Sequence, residues 1–243
     1  MVRVEWPQSE ILLLTINRPD RRNAVDTETL HQLADALAEV SLPETRVVIL
    51  TGEPPAFCAG ADLSGVESEV FHTALGAALQ ALAQCEVPVI AAIDGPALGA
   101  GTQLVMSCDL RIATERSTFG IPAAKLGLAV DQWTIDRMTR EFGWGIARAM
   151  LVGAEVFDAD RLHRSGSVHR IGDVGDAIEW ARVVAMQAPL TVVAHKAGLD
   201  ESARSPDASS HSEDLRLRAW ASSDAEEGRL AFTEKRPARF LAE

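Results

Sequence analysis

The chain has 243 residues, 47% of them hydrophobic, enough to bury a full core as one domain. A formal net charge of -12 and a pI near 5.0 exclude a nucleic-acid-binding surface, which draws its affinity from clustered Lys and Arg at phosphates. Three cysteines, Cys58, Cys85 and Cys108, form neither an even disulfide set nor a metal-ligand spacing, so a reducing cytoplasm without a structural metal is expected.

Taken in chain order, residues 1–7 carry no apolar signal region, and no apolar run approaches the length of a membrane span. Residues 11–16 and 46–51 are β-branched or leucine-rich runs bounded by Asn, Pro and Gly, which predicts buried strands. Between them Asp26 caps a predicted helix carrying Leu30, Leu33, Ala34 and Leu37. Val70, Ala74, Leu75, Ala78, Leu79 and Leu82 form a second helical stripe, followed by a strand over 88–93. A helix over 100–107, a strand over 109–113 and helices over 132–142 and 159–164 continue the alternation, which points to an α/β fold. From about residue 173 the strands stop. Helices are expected over 173–187, 190–199, 207–222 and 225–233, with a Ser-, Asp- and Pro-containing connection over 202–210. Residues 1–190 therefore read as an α/β core and 191–243 as a helical region.

Two stretches carry chemistry: Ala56-Phe57-Cys58-Ala59-Gly60-Ala61-Asp62-Leu63 and Asp94-Gly95-Pro96-Ala97-Leu98-Gly99-Ala100-Gly101. Gly60 and Gly99 let the backbone turn sharply and expose the N–H of the next residue. Ala100 also opens a helix, at the positive end of its dipole. An ordinary strand-to-helix turn is the simpler alternative for the second stretch; a dinucleotide loop is excluded because the glycines are not spaced Gly-x-Gly-x-x-Gly after a first strand.

These stretches occur in order with Asn17-Arg18-Pro19, Arg21-Arg22-Asn23-Ala24, Cys108-Asp109-Leu110-Arg111, Phe119-Gly120, Lys125-Leu126-Gly127-Leu128 and Phe232-Thr233-Glu234-Lys235-Arg236-Pro237. The ordered set, spanning nearly the whole chain, resembles the crotonase (enoyl-CoA hydratase/isomerase) family. The resemblance implies a spiral of repeated β-β-α units with a C-terminal helical trimerisation region, often stacked as hexamers. It implies a coenzyme A thioester as ligand or substrate, with no other cofactor. The N–H groups of Ala61 and Ala100 would hold the enolate oxygen that forms on the thioester. Arg22, Ala24, Ala59, Asp62 and Leu63 would contact the coenzyme, with Trp133 lining the acyl pocket and Phe232 and Lys235 reaching the nucleotide from a neighbouring subunit. Arg18, Arg21, Arg22, Lys235 and Arg236 are the cations at hand for its phosphates; solvated arginines are the plainer reading of the first loop.

Family hydratases position and deprotonate water with two glutamates, which motif alignment puts at Gln103 and Ala123. An amide is no base near pH 7, and Ala123 has no polar group. The pattern Gln103, Ala123 and Leu128-Ala129-Val130-Asp131-Gln132-Trp133 is similar to an actinobacterial branch lacking both glutamates. Asp131 matches a working aspartate of dienoyl-CoA isomerases and aryl-CoA dehalogenases, and it is equally suited to cap the helix that follows. Trp133 reads equally as a core aromatic. His72, His195 and Cys58 read as solvated or packing residues. Expected is an acyl-CoA-binding homologue in fatty acid metabolism with impaired hydratase chemistry and a possible protein partner; the alternative is an active hydratase, or an enoyl- or dienoyl-CoA isomerase using Asp131.

Overall fold

A computed structural model describes residues 1–62, 68–202 and 210–242. In chain order it forms β1 (Val2–Gln8), β2 (Ile11–Ile16), α1 (Thr27–Ala38), β3 (Val47–Gly52), α2 (Glu69–Gln84), β4 (Val89–Ile93), β5 (Pro96–Leu98), α3 (Ala100–Ser107), β6 (Leu110–Ala113) and β7 (Thr118–Gly120). It continues with α4 (Gln132–Leu151), β8 (Phe157–Asp158), α5 (Ala159–Arg164), β9 (Arg170–Ile171), α6 (Val174–Ala185), α7 (Pro189–Ser202), α8 (Ser210–Ala221) and α9 (Ser223–Glu234).

The apolar runs become the inner strands of a sheet ordered β1-β2-β3-β4-β6-β9, parallel from β2 onward and closed at one edge by the antiparallel β1. Every residue of β3 and β4 is buried, as expected of parallel strands covered on both faces. One face packs against α1 and α2 through Leu14, Leu30, Leu33, Leu50 and Leu79; the other packs Ile11, Ile49 and Ile90 against Ala177, Trp180 and Ala181 of α6. A smaller sheet ordered β5-β7-β8 stands beside it. Because β3 and β4 run parallel, the segments that follow them leave the sheet at the same end, where open α/β sheets bind ligands.

The α/β alternation is therefore as expected, with four differences. The edge strand β1 was not predicted; its residues are mostly exposed, so no burial pattern marks it. Val70 is 64% exposed, and Phe71 takes the core position one residue later. The helix predicted over 132–142 runs on to Leu151, with a break at Gly143, whose φ is 81° and ψ 157°. The short strands β5, β7, β8 and β9 carry too few residues to show a period. Of the connection predicted over 202–210, residues 203–209 lie outside the described residues. Among the described residues no helix is long and apolar enough to cross a membrane.

Two cations, Lys196 half-buried and Arg137 buried, tie the helical region to the rest of the fold. Lys196 Nζ on α7 donates to Asp109 Oδ2 at 2.8 Å and to the Val87 carbonyl at 3.1 Å. Arg137 on α4 donates to Asp200 at 2.7 Å and to the Met106 carbonyl at 2.9 Å. After α9 the chain doubles back along that helix: the N–H groups of Leu241 and Ala242 donate to the buried carboxylate of Asp224, and Arg46 holds the Phe240 carbonyl at 2.7 Å. Removing one partner of a part-buried ion pair leaves the other charge poorly compensated. Lys196→Ala is expected to lower stability by about 2 kcal/mol, the loss of charged hydrogen bonds, read as a shifted urea midpoint with little change in slope. An unchanged midpoint would show that Lys196 is dispensable for docking α7.

Candidate functional site

Three backbone segments meet at the carboxyl end of the parallel strands. The segment after β3 pairs with the start of β5: Cys58 N–H donates to the Pro96 carbonyl at 3.0 Å, and Leu98 N–H donates to the Cys58 carbonyl at 2.9 Å. On its other side the same segment pairs with the first loop, Ala59 N–H donating to the Arg22 carbonyl at 2.9 Å and Asp62 N–H to the Val25 carbonyl at 2.8 Å. In a regular strand alternate N–H groups share a side, so Ala59 and Asp62 would point opposite ways. Both bond to the first loop, so the alternation is broken between them. Gly60 breaks it, at a φ of 123° that an L side chain rarely adopts. The Gly60 carbonyl accepts the Val25 N–H at 2.8 Å, so the Ala61 N–H on the same trans peptide points away from the first loop.

That segment brings the second donor. Gly99, at φ 53° and ψ -118°, ends β5 and precedes α3, so Ala100 is the first helical residue and its N–H has no partner within the helix. A Cβ placed on Gly99 would lie 3.8 Å from the Gly60 Cα, so the two glycine turns are in contact. Gly99 N–H donates to the Gly120 carbonyl at 2.8 Å, and Thr102 Oγ1 donates to the Ala97 carbonyl at 2.6 Å, fixing the turn. Among the described residues neither the Ala61 nor the Ala100 N–H has an acceptor. Two N–H groups without a described acceptor, on touching turns and one at a helix N-terminus, are an arrangement that can hold an oxyanion.

The side chains around this pair are poor in proton-transfer groups. Gln103, 8% exposed, donates from Nε2 to Thr134 Oγ1 at 2.9 Å. Ala123 lies in a 3-10 turn, Pro122–Leu126, and packs against the main core. Asp131 is the N-cap of α4: its Oδ1 accepts the Thr134 N–H at 2.9 Å, and the residue is exposed. Asp94, at the start of the second stretch, is held by Arg116, whose hydrogen bonds keep its carboxyl below the ordinary carboxylate range. Burial pushes the Cys58 thiol up to about 12, so no thiolate nucleophile stands there near pH 7. His72 and His195 are exposed. Among the described residues no cluster of His, Cys, Asp and Glu could hold a metal ion.

The predicted coenzyme contacts separate into those brought to the oxyanion pair and those not. Arg22, Ala59 and Asp62 come together there through the backbone pairing, with Ala24 between Arg22 and Val25 on the paired loop. Leu63 lies outside the described residues. Arg18 is a correction to the predicted phosphate cations: it is paired with Asp26 at 2.8 Å and Asp62 at 3.2 Å and also holds the Ala24 carbonyl, so it clamps the first loop to the second segment. Arg236 is likewise engaged, by Glu227 and Glu234. Arg21, Arg22 and Lys235 remain exposed. Phe232 lies on α9 and Lys235 just beyond it, at the turn where the chain doubles back. Trp133 packs against the main core and lines a cavity of about 410 Å³ with Cys85, Arg137, Lys196 and Leu215; none of the oxyanion residues lines it.

Sequence reasoning gave Asn23 no role of its own. Its side chain is fully buried, donates to the Glu53 and Ala56 carbonyls at 2.7 and 2.6 Å, and accepts the Arg18 N–H at 2.9 Å. Its φ of 56° is a conformation that Asn tolerates better than most residues, which is the signal its position in the Arg-Arg-Asn-Ala turn offered. Thr134 was missed as well; its partner is 31 residues away in sequence.

The α/β fold thus brings two glycine turns, each followed by an N–H without a described acceptor, into contact at the carboxyl ends of its strands. The profile of the Enoyl-CoA hydratase/isomerase family matches residues 7–243, and the chain belongs to that family. It is 38% identical over 231 residues, 95% of each chain, to a Mycobacterium tuberculosis protein described as "Probable enoyl-CoA hydratase echA6". It is 32% identical over 249 residues to a crotonyl-CoA hydratase of Syntrophomonas wolfei, covering 97% of this chain and 96% of the relative. A crystal structure of an enoyl-CoA hydratase/carnithine racemase from Magnetospirillum magneticum superposes with a TM-score of 0.91 at 30% identity, covering 100% of this chain and 96% of the other.

Proposed function

We infer that this chain binds the thioester of a fatty acyl-CoA at the Ala61 and Ala100 N–H groups and hydrates enoyl-CoA poorly or not at all. The observation that carries the reading is the pairing of an intact donor set with a Gln103 amide engaged by Thr134 and a methyl group at Ala123. Binding needs the donors and the groups around them but no base, whereas activating water needs a base within reach. Arg21 and Arg22 meet the coenzyme phosphates from the first loop. Residues 191–243 form a helical region that assembles trimers or hexamers, through which Phe232 and Lys235 reach the coenzyme of a neighbouring subunit. The protein works in the cytoplasm, presenting its acyl-CoA to another enzyme of fatty acid metabolism. Calorimetric titration with butyryl-CoA and a crotonyl-CoA hydration assay test this together. Binding with little turnover supports it, and turnover within tenfold of a family hydratase overturns it.

A second reading rests on Asp131, whose cap uses one carboxylate oxygen while the residue stays exposed. Asp131→Asn separates cap from acid–base role, because asparagine caps about as well as aspartate but moves no proton. Under the binding reading the variant keeps the wild-type melting temperature and acyl-CoA affinity and loses no activity. Loss of a measurable dienoyl-CoA isomerisation in this variant alone would establish the second reading.

A further inference from the structure

A Gln103–Thr134 hydrogen bond joins α3, the helix that Ala100 opens, to α4. Gln103 stands three residues after Ala100 on α3, and residues three apart are neighbours on a helix surface. Its backbone is fully used: the N–H donates to the Gly99 carbonyl at 3.1 Å and the carbonyl accepts from Ser107 Oγ at 2.8 Å. Its carboxamide gives one donor to Thr134 Oγ1 at 2.9 Å. Thr134 is fully buried in the first turn of α4, and its N–H is taken by Asp131. The hydroxyl therefore has a single described partner, Gln103.

We propose that Thr134 is a positioning residue of the acyl-CoA site, fixing the Gln103 carboxamide beside the Ala100 donor so that the rest of the amide meets the bound acyl group. This rests on the acyl-CoA reading above. A free glutamine samples several rotamers, and holding one of them costs side-chain entropy at the moment of binding. The hydroxyl makes that ordering part of the fold, so the amide is in place before the ligand arrives. The capped turn of α4 holds the hydroxyl in its turn, and Thr134 thereby links Gln103 to Asp131 at the surface.

Thr134→Val tests the role because valine is close in shape and keeps the N–H that Asp131 caps. Butyryl-CoA binding is expected to weaken about three- to tenfold, the size of one neutral hydrogen bond, and Thr134→Ser is expected to restore it. On a Gln103→Met background, which breaks the same bond from α3, Thr134→Val is expected to have no further effect. A purely structural Thr134 would instead give losses that add in full and a lowered melting temperature. Either those additive losses or wild-type affinity in Thr134→Val overturns the inference; if one variant folds poorly, the comparison is read from the other helix. Failure of the wild-type chain itself to bind butyryl-CoA would instead sink the acyl-CoA reading, and this inference with it.

Discussion

Gln103→Glu and Ala123→Glu together are expected to raise crotonyl-CoA hydration by about 100- to 10000-fold over the wild-type chain, the range contributed by general acid–base groups. Both positions are attached to the donor pair by the backbone. Residue 103 is on the helix that Ala100 opens, and residue 123 follows β7, whose Gly120 carbonyl accepts the Gly99 N–H at 2.8 Å. A carboxylate at 103 in the place of the present amide would accept from the Thr134 hydroxyl, which favours its charged, basic form. Each single substitution is expected to recover little, since groups that share one water act as a unit. Steady-state rates at saturating substrate read the gain. A double variant that still binds acyl-CoA yet hydrates no faster than wild type would show that more than two carboxylates has been lost.

The parts of the molecule legible in the sequence are those set by local chemistry. The apolar runs of β2, β3 and β4, the Asp26 and Asp131 caps and the glycine turns at 60 and 99 all act over a few residues, and each is where the residue types predict. Position along a helix face was less secure. The apolar stripe of α2 starts at Val70 in the sequence, but the buried face begins at Phe71, because alanine-rich turns leave the phase of the stripe loosely set. Long-range pairing was not legible. Nothing local distinguishes Arg18, tied to Asp62, from Arg21 and Arg22 beside it, and only the fold separates a clamp from a solvated cation. The same holds for Arg111, buried with its guanidinium on Glu141 and the Ser167 and Cys108 carbonyls, and for Lys196. At the candidate site the glycine turns were readable as a motif, whereas the broken alternation at Gly60, which turns the Ala61 N–H away from the first loop, appears only when both hydrogen-bonding edges of residues 58–62 are traced.

Ala100→Pro removes one donor of the pair while leaving the helix its preferred chemistry. Residue 100 is the first position of α3, where proline is favoured because the N–H has no helical partner there and a helical φ is close to the value that the ring imposes. Gly99, at ψ -118°, lies outside the α region that a following proline disfavours. The melting temperature and far-ultraviolet circular dichroism should therefore stay near wild type, while the ring puts a carbon where the N–H had faced the thioester oxygen. Loss of a comparable donor in other enzymes costs about 100- to 1000-fold in rate, which is the fall expected here in a chain also carrying Gln103→Glu and Ala123→Glu. In the otherwise wild-type chain, butyryl-CoA affinity should fall by tenfold or more, since the carbonyl loses a donor and meets the ring. Turnover retained within tenfold, or unchanged affinity, would remove Ala100 from the site and leave Ala61 without the second donor that makes an oxyanion hole.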